Sequence, residues 1–417
     1  MNILDTASLV VTPNGYKATK LYSIIPTSGT GDMTFARTGN TATRLNSSGV
    51  IESVLADKPR LDYLGGTCPK LLMEPQRTNL FSYSQELDNA YWTKAQTTVT
   101  ANATTSPDGT TNADAIYETA VSNNFAIYRA FSATSASEYT ISAFVKANGR
   151  NFAYFHFLDL NSVFVDSKIY FNLLTGAIGT TGSGITGKIE SYGNGWYRIS
   201  AKKTALATST GYILTAISNA DNLDIYSGDV TKGLYVWGMQ LEVGGFVSSY
   251  IPTTTASVTR NVDECYLSSA SALIGQSEGT VYFDGYVPNA SETSNLVILE
   301  KVTPITFIRL RQLTSGLLNA TLNVDSGTYT FNASNPTALA EGTRVKLALA
   351  YKSGNIAYYC NGALIGESTL AYSGSSFDDI RLGSDYATPT LTNNKYNAVA
   401  LWKTRLTNAE LNTLTTV

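Results

Sequence analysis

The sequence predicts an all-β protein in which an irregular N-terminal arm precedes two β-sandwich domains of jelly-roll type in tandem. Three observations support this fold class. Only 15% of the residues are charged; Ser, Thr, Asn, Gly and Tyr, residues of strands and turns, are abundant; and short apolar segments recur between turn signals. The chain has 417 residues, 43% of them hydrophobic, so it can form more than one buried core.

Residues 1–78 are predicted to form the arm. Turn-forming clusters at residues 13–15, 28–31 and 65–66 separate short apolar stretches that have no strong period. Such a segment cannot offset its own ordering entropy, so it is expected to pack on a neighbouring domain or a partner chain. Deleting it is expected to leave both sandwiches folded.

The first sandwich is predicted over residues 79–260. Apolar and polar residues alternate over residues 139–145, which indicates a strand with one face in water. The segment FAYFHFL, residues 152–158, is apolar on both sides and is predicted to be an interior strand.

The second sandwich is predicted over residues 261–417. Its clearest local signal is a hairpin in which an alternating strand, residues 344–351, turns at residues 352–355 into the strand 356–360. Near the end, Thr407 and Glu410 form a capping box that predicts a short helix through Leu414.

Composition excludes several function classes. The net charge of −3 with no basic block predicts no nucleic-acid partner. No apolar run approaches the roughly 18 residues of a membrane span, and the opening residues lack a secretion signal, so we expect synthesis in a cytoplasm without membrane insertion. The three cysteines, Cys68, Cys265 and Cys360, are far apart and are interpreted as buried thiols.

Several stretches resemble bacteriophage proteins. FARTGNTATRLNSSGVIE (residues 35–52), KPRLDY (58–63) and LLMEPQRTNLFSYSQELDNAYWTK (71–94) resemble the opening of many phage virion and tail-associated proteins, in which an arm precedes a carbohydrate-binding-like jelly roll. GNGWYRIS (193–200) and YVWGMQLEVG (235–244) are similar to the body of that jelly roll.

The second sandwich resembles the concanavalin A-like, laminin-G-like lectin fold. Residues 342–366 are similar to its paired central strands and residues 400–416 to its closing strand and short helix. Together the resemblances imply a head fibre, tail fibre or capsid decoration on the virion surface, made in the host cytoplasm. They also imply a homo-oligomer, a trimer or dimer, that contacts other virion proteins through the arm and binds glycans.

Catalytic motifs are weak. The pentapeptide GQSEG, residues 275–279, matches G-x-S-x-G, but that motif needs a strand-to-helix turn and the residues from Thr280 predict a strand. His156 is the chain's one histidine, and its apolar strand favours a core histidine over a general base. No run of paired acids matches the E-x-D-x-E of lectin-fold glucanases. A glycan-depolymerising tail enzyme stays an alternative.

Candidate binding residues are few. Sugar binding needs an aromatic ring near polar groups, and Tyr91 and Trp92 at the entrance of the first sandwich are the candidates, although packing of the arm explains them equally well. Trp196, Trp237 and Trp402 lie in predicted strands and are expected in the core.

Asp378, Asp379 and Asp385 flank a loop that is a candidate calcium site, with solvated turn acids as the other interpretation. No other cofactor is predicted. Arg60 and Arg77 are expected to hold the arm through hydrogen bonds to carboxylates or carbonyls, with solvated surface charges as the other interpretation.

The sequence therefore predicts a non-enzymatic virion structural protein whose sandwiches adhere to host or environmental glycans. A depolymerising tail enzyme and a purely architectural subunit without ligand are the alternatives.

Overall fold

The computed structural model describes residues 2–17, 19–39, 41–289, 292–302, 305–324, 329–373, 376–384 and 393–417. It is almost entirely β, which confirms the predicted class. The chain forms two compact units. Unit 1 comprises Met1–Thr41, Val54–Gln76 and Asn261–Val417, and unit 2 comprises Ala42–Ser53 and Arg77–Arg260. Along the chain, unit 2 is therefore inserted into unit 1.

The elements of the first 76 residues are a 3-10 helix, Ile3–Thr6, and the strands β1 Leu9–Lys17, β2 Lys20–Ile25, β3 Met33–Ala36, β4 Ala42–Leu45, β5 Ile51–Val54, β6 Arg60–Asp62 and β7 Lys70–Met73. The next stretch contains β8 Arg77–Asn79, β9 Thr93–Ala95, β10 Thr97–Thr104, β11 Ala113–Glu118, β12 Ser122–Asn123, β13 Phe125–Ala133, β14 Glu138–Asn148, β15 Phe152–Phe157, β16 Ser167–Asn172, β17 Ala177–Thr181, β18 Thr186–Gly193, β19 Trp196–Thr204, β20 Ser209–Ser218, β21 Tyr226–Ser227, β22 Gly233–Val243 and β23 Val258–Arg260. The remainder contains β24 Glu264–Leu267, β25 Glu278–Tyr286, β26 Ser294–Lys301, β27 Thr306–Gln312, β28 Leu318–Asn323, β29 Tyr329–Ser334, β30 Arg344–Lys352, β31 Ile356–Cys360, β32 Ala363–Ser368, β33 Asp379–Leu382, β34 Asn394–Trp402 and the helix α1 Asn408–Thr415.

Unit 2 is a sandwich of two six-stranded antiparallel sheets, β10-β11-β22-β14-β19-β18 and β17-β16-β15-β20-β13-β9. Its core takes alternate residues from both sheets, such as Ile141 and Val145 of β14 and Phe155 and Phe157 of β15. Strand β15 is an interior strand, as its apolar sequence predicts.

One buried amide ties the start of unit 2 to its last long strand. The side chain of Asn79 donates to the carbonyls of Met239 (3.1 Å) and Ile251 (3.0 Å). Its oxygen accepts from the N–H groups of Phe81 and Leu241, both at 3.1 Å. All of its hydrogen-bonding capacity is used, as a fully buried amide requires.

Unit 1 is one long antiparallel sheet in the order β29-β28-β27-β26-β33-β24-β3-β2-β1-β34-β25-β30-β31-β32, with β6 and β7 paired beside β34. Residues from its two ends, such as Leu310 and Leu347, share one core, so the sheet folds over itself as a sandwich. The hairpin of β30 and β31 forms as predicted, with Ala350 opposite Ala357.

A second, smaller apolar layer covers the outer face of β25, β30, β31 and β34. It contains Trp402 and Leu411, the latter from α1. The predicted capping box begins that helix, with Thr407 and Glu410 each accepting from the other's backbone N–H. The Trp402 indole donates to the carbonyl of Ile3 at 2.9 Å, so the N-terminal 3-10 helix packs on the same face.

The N-terminal residues do not form a separate arm. Strand β1 pairs with β34, placing Val10 opposite Ala400, and β7 pairs with the same strand. Residues Leu9 and Leu71 belong to the unit 1 core. Each of these strands is short or has an irregular register, so the sequence shows no strong alternation of apolar and polar residues. Pairing with strands that are distant in the chain orders these residues.

A buried charge cluster joins the N-terminal strands to the residues that follow unit 2. Arg37 donates to Asp263 at 2.9 Å, and Arg60 donates to Asp263 and to Glu74, the latter at 2.6 Å. All four side chains are at most 1% exposed. Asp263 also accepts from the backbone N–H of Glu74. Each charge is compensated, which is the condition for burying it.

We expect Asp263→Asn to destabilise unit 1 by about 3–5 kcal/mol, because two buried arginines lose their shared counter-charge. Differential scanning calorimetry of the full chain measures this loss. Asp378→Asn is the matched control: it removes an exposed carboxylate 3.7 Å from Lys301 and should change stability by less than about 1 kcal/mol. Equal effects of the two substitutions would contradict the assigned role of the cluster.

Deletion of residues 1–78 should unfold unit 1, in contrast to the expectation drawn from sequence. The deletion removes β1, β2, β3, β6 and β7 from the sheet together with Arg37, Arg60 and Glu74, which leaves Asp263 buried without its partners. Calorimetry and limited proteolysis would report the loss of the unit 1 transition. A truncated chain that retains it would overturn the assignment of these strands to the unit 1 core.

Candidate functional site

The two residues predicted to bind sugar lie at the edge of the unit 2 core. Trp92 is 2% exposed, packs edge-on against Phe81 and donates from its indole to the Tyr83 carbonyl at 3.0 Å. Tyr91 packs against the same core, and the Arg129 guanidinium covers its ring at 4.4 Å. The prediction for Trp92 is corrected, because a buried ring cannot stack on a ligand. The Arg129 guanidinium occupies one face of the Tyr91 ring, so a sugar cannot stack on that face.

The candidate calcium ligands are engaged with cations. Asp378 lies 3.7 Å from Lys301, and Asp379 accepts from the Ser269 N–H at 3.1 Å and lies 3.9 Å from Arg381. Asp385 lies outside the described residues. Among the residues that the structure describes, no three acidic, histidine or cysteine side chains are grouped as metal ligands.

The two arginines predicted to hold the N-terminal segment belong to different units. Arg60 is part of the buried charge cluster of unit 1. Arg77 lies in β8 of unit 2, and its guanidinium covers the Phe246 ring at 4.5 Å. Gly244 has a φ of +132°, which L side chains rarely adopt, so glycine is favoured at this position beside the Arg77 guanidinium.

The remaining sequence candidates fall into structural roles. Ser277 is exposed immediately before β25, so a strand follows the G-x-S-x-G match, as predicted. Trp196, Trp237 and Trp402 are at most 3% exposed, so all three are buried, as predicted; Trp402 lies in the smaller apolar layer of unit 1. Cys265 and Cys360 are buried, whereas Cys68 is exposed, so the prediction of three buried thiols is wrong for Cys68. No helix among the described residues is long and apolar enough to cross a bilayer.

The sheet β17-β16-β15-β20-β13-β9 also has a face directed away from the unit 2 core. We call it the tyrosine face and define it by Tyr128, Tyr154, His156, Tyr170 and Tyr212. Two of these rings, with neighbouring apolar residues, form an apolar cluster separate from the core. The period of two along a strand explains the separation: in β15 the residues flanking Tyr154 and His156 point into the core.

Backbone register places these side chains in neighbouring rows. Tyr154 is opposite Tyr170, and their rings stack with centroids 4.8 Å apart and an interplanar angle of 25°. In the next row, His156 is opposite Leu214, which is opposite Tyr128. Tyrosines from four neighbouring strands therefore line one continuous surface.

Part of the tyrosine face is covered by residues 219–225, which we call the strap. Asp221 accepts from the backbone N–H (2.8 Å) and the hydroxyl (2.9 Å) of Thr180 on β17. Asp224 accepts from the Lys168 ammonium on β16 at 2.6 Å. Because β20 precedes the strap and two strands separate β20 from β17, the strap crosses over β15 and β16.

The strap shields the stacked tyrosines. Tyr154 is 0% and Tyr170 1% exposed. Burial raises the pKa of both hydroxyls, and the Asp224 carboxylate raises both further. Burial opposes ionisation of Asp224 itself, but the hydrogen bond and charge of Lys168 hold its pKa below the ordinary value. The strap carboxylate therefore remains charged above two neutral phenols.

The other part of the tyrosine face is open. Tyr128 and Tyr212 are half-buried, with ring centroids 6.1 Å apart and an interplanar angle of 67°. Leu158 adds half-buried apolar surface beside them. Asp166, whose side chain is 53% exposed, lies 2.6 Å from the His156 Nε2. Accessible rings and a carboxylate on one sheet face are the combination that covers the apolar face of a sugar and accepts from its hydroxyls.

His156 is not arranged as a general base for a nucleophile. Its Nε2 faces Asp166, while its Nδ1 is buried without a hydrogen-bonding partner in the described structure. A serine-type triad needs a hydroxyl on one ring nitrogen and an acid on the other. Burial is the largest influence on the pKa of His156 and lowers it, and the hydrogen bond and charge of Asp166 oppose this only in part.

Sequence reasoning did not find the tyrosine face. The one available signal is in FAYFHFL, whose apolar residues on both sides imply that neither face of the strand is fully exposed to solvent. Which of the two faces belongs to the core depends on the position of the partner sheet, and a local sequence pattern does not contain that position.

No protein-family model and no curated protein matches the chain. Among solved structures, it is similar to the Ruminococcus gnavus IT-sialidase CBM40 bound to alpha2,3 sialyllactose, at 15% identity over 36% of this chain and 87% of that one, with a TM-score of 0.31. It is also similar to domain 4 of the Geobacillus stearothermophilus extracellular arabinanase AbnA in complex with arabinotriose, at 14% identity over 41% of this chain and 82% of that one, with a TM-score of 0.30. For the SAP-like pentraxin from Limulus polyphemus, the identity is 17% over 33% of this chain and 69% of that one, with a TM-score of 0.27. Likenesses this weak assign no function.

We expect the stability of unit 2 to fall as the pH drops from 7.5 to 5.5, partly through His156. Its folded pKa lies below the unfolded value of about 6.5, so the unfolded state binds the extra proton first and stability is lost on acidification through that range. His156→Phe should show a smaller loss than wild type. Urea unfolding followed by tryptophan fluorescence suits unit 2, since Trp92, Trp196 and Trp237 lie within it. Identical pH dependence of the two proteins would contradict the direction of the shift.

Proposed function

We propose that the protein is a non-catalytic glycan-binding subunit of a phage particle and that the open part of the tyrosine face is its sugar platform. The observation that carries the binding role is the pair of half-buried rings, Tyr128 and Tyr212, on the side of the sheet that faces away from the core. Large rings on an outer sheet face have no packing role toward the core, and a flat sugar ring can cover them.

The surroundings of these rings support ligand binding over simple packing. The platform continues into the stacked Tyr154 and Tyr170 beneath the strap, and a charged residue, Asp166, lies at its side. Aromatic area for contact and carboxylate oxygens for hydroxyl groups therefore occur together on one surface.

The non-catalytic part of the proposal is supported by the arrangement of His156. Its acid partner is present, but no hydroxyl or thiol occupies the second ring nitrogen. The glycosidase alternative needs two carboxylates about 5 Å or about 6.5–9.5 Å apart that flank the scissile bond. Asp166 and Asp224 are instead hydrogen-bonded to His156 and Lys168.

The assignment to a phage particle is supported by the resemblance of residues 35–52, 58–63 and 71–94 to virion and tail-associated proteins. We propose display on the virion surface as a homo-oligomer that contacts other virion proteins. Since the first 76 residues contribute strands to unit 1, attachment through a folded unit 1 replaces attachment through a free arm. A density map of the particle would locate the subunit, and purified particles that lack the chain would refute this assignment.

Substitution of the platform tyrosines tests the binding role. Tyr128→Ala and Tyr212→Ala should each weaken binding to glycans on a printed array at least tenfold, about 1.4 kcal/mol or more. Tyr235→Ala is the matched control, because Tyr235 is a half-buried tyrosine on the outer face of the other sheet. Thermal melting of all three variants checks that they are folded.

Two outcomes would contradict the proposal. If Tyr235→Ala abolishes binding while Tyr128→Ala and Tyr212→Ala leave it intact, the site lies on the other sheet. If bound polysaccharide is shortened in a reducing-end assay and Asp166→Asn stops the reaction, the protein is an enzyme.

A further inference from the structure

We infer that the tyrosine face selects an uncharged sugar and disfavours glycans that carry carboxylate or sulfate groups. This inference rests on the proposed glycan-binding role and adds the chemical class of the ligand. It is carried by the sign of the charges around the platform and by the hydrogen-bonding capacity of the buried polar groups.

Carboxylates outnumber cations on this face. Asp166 is attached to the platform through His156, and the strap contributes Asp221 and Asp224. Lys168 is paired with Asp224. Lys203 lies near Asp166, but its ammonium donates to the Ser167 hydroxyl and the Ser183 carbonyl. Arg150 donates to Asn219 of the strap and is paired with Glu118. An anionic group on the ligand would therefore meet more carboxylates than cations on this face.

Two further cations, on β9 and β13, are directed away from the tyrosine face. Lys94 on β9 is opposite Ile127, a residue of the core, and its ammonium donates to the carbonyls of Asp88 (2.8 Å) and Asn89 (2.9 Å). The Arg129 guanidinium lies over the Tyr91 ring and donates to the Tyr91 carbonyl at 3.1 Å. Neither is positioned to neutralise an acidic ligand on the tyrosine face.

The buried polar atoms of the face also favour hydroxyl groups. The hydrogen bond to Asp166 assigns the ring proton to the Nε2 of His156, which leaves Nδ1 as an acceptor. This Nδ1 has no hydrogen-bonding partner in the described structure, although its residue is only 7% exposed. A buried acceptor without a donor is unfavourable, and a sugar hydroxyl can donate to it whereas a carboxylate or sulfate cannot.

Acceptors therefore dominate the face: the carboxylates of Asp166, Asp221 and Asp224 and the His156 Nδ1 can each accept a hydrogen bond. A neutral sugar ring presents several O–H donors and no charge. Its hydroxyl groups can donate to the acceptors of the tyrosine face. An acidic sugar has an acceptor in place of one of these donors, and its negative charge is repelled by the carboxylates of the face.

A printed array of neutral glycans with their sialylated, uronic-acid and sulfated counterparts tests the inference on the full chain. Titration calorimetry then compares the strongest neutral ligand with its carboxylated counterpart at 50 mM and 500 mM NaCl. We expect the neutral glycan to bind about tenfold more tightly at low salt. The difference should shrink at high salt, because salt screens repulsion between partly exposed charges.

The Asp166→Asn variant provides the second measurement. The Asp166 side chain is 53% exposed, so the protein should remain folded, as a thermal melt would verify. Removing this charge should reduce the ratio of the affinities for the neutral and the carboxylated glycan at 50 mM NaCl. Tyr128→Ala and Tyr212→Ala should still weaken binding in this background.

The outcomes separate the two proposals. If acidic glycans bind as tightly as the neutral ones or more tightly, and platform substitutions weaken them, the ligand class is wrong while the glycan-binding role stands. If no glycan on the array binds, the glycan-binding role fails and the inference about ligand class fails with it. Preferential binding of neutral glycans that Asp166→Asn narrows supports both.

Discussion

Successive side chains of a β-strand point to opposite faces of its sheet, and the organisation of unit 2 depends on this constraint. In β15, Phe155 and Phe157 enter the core, so Tyr154 and His156 must lie on the other face. The same division repeats in β13, β16 and β20, because antiparallel register aligns the strands residue by residue. A row of tyrosines outside the core is the direct consequence, and it provides the surface on which the proposed function is built.

Unit 1 depends on a different constraint, the compensation of buried charge. Arg37, Arg60 and Glu74 come from the first part of the chain and Asp263 from the residues after unit 2. None of these side chains is stable in an apolar interior alone. Their mutual pairing requires both parts of the chain to be present, which agrees with the pairing of β1 and β7 with β34 near the C-terminus. The insertion of unit 2 into unit 1 is thus supported by electrostatics as well as by strand pairing.

The strap covers part of the tyrosine face and supplies two of its carboxylates. It is held on the sheet by Asp221 and Asp224, through Thr180 and Lys168, and the same carboxylates contribute negative charge to the tyrosine face. Covering part of an aromatic surface limits nonspecific contact, since a large exposed apolar patch would favour association with other surfaces. The open rings, Tyr128 and Tyr212, remain accessible beside it.

The sequence by itself determined the features that depend on near neighbours. These are the all-β class, the hairpin around residues 352–355, the capping box of Thr407 and Glu410, and the burial of Trp196, Trp237 and Trp402 in strands. Each follows from side-chain alternation or from hydrogen bonds between residues a few positions apart. The tertiary structure alone decided that residues 1–76 supply strands mainly to unit 1, that Trp92 is buried while Tyr128 and Tyr212 are open, and that the strap covers Tyr154. These depend on pairing between residues far apart in the chain, such as Val10 with Ala400, and a local pattern contains no information about which distant strand will cover a given face.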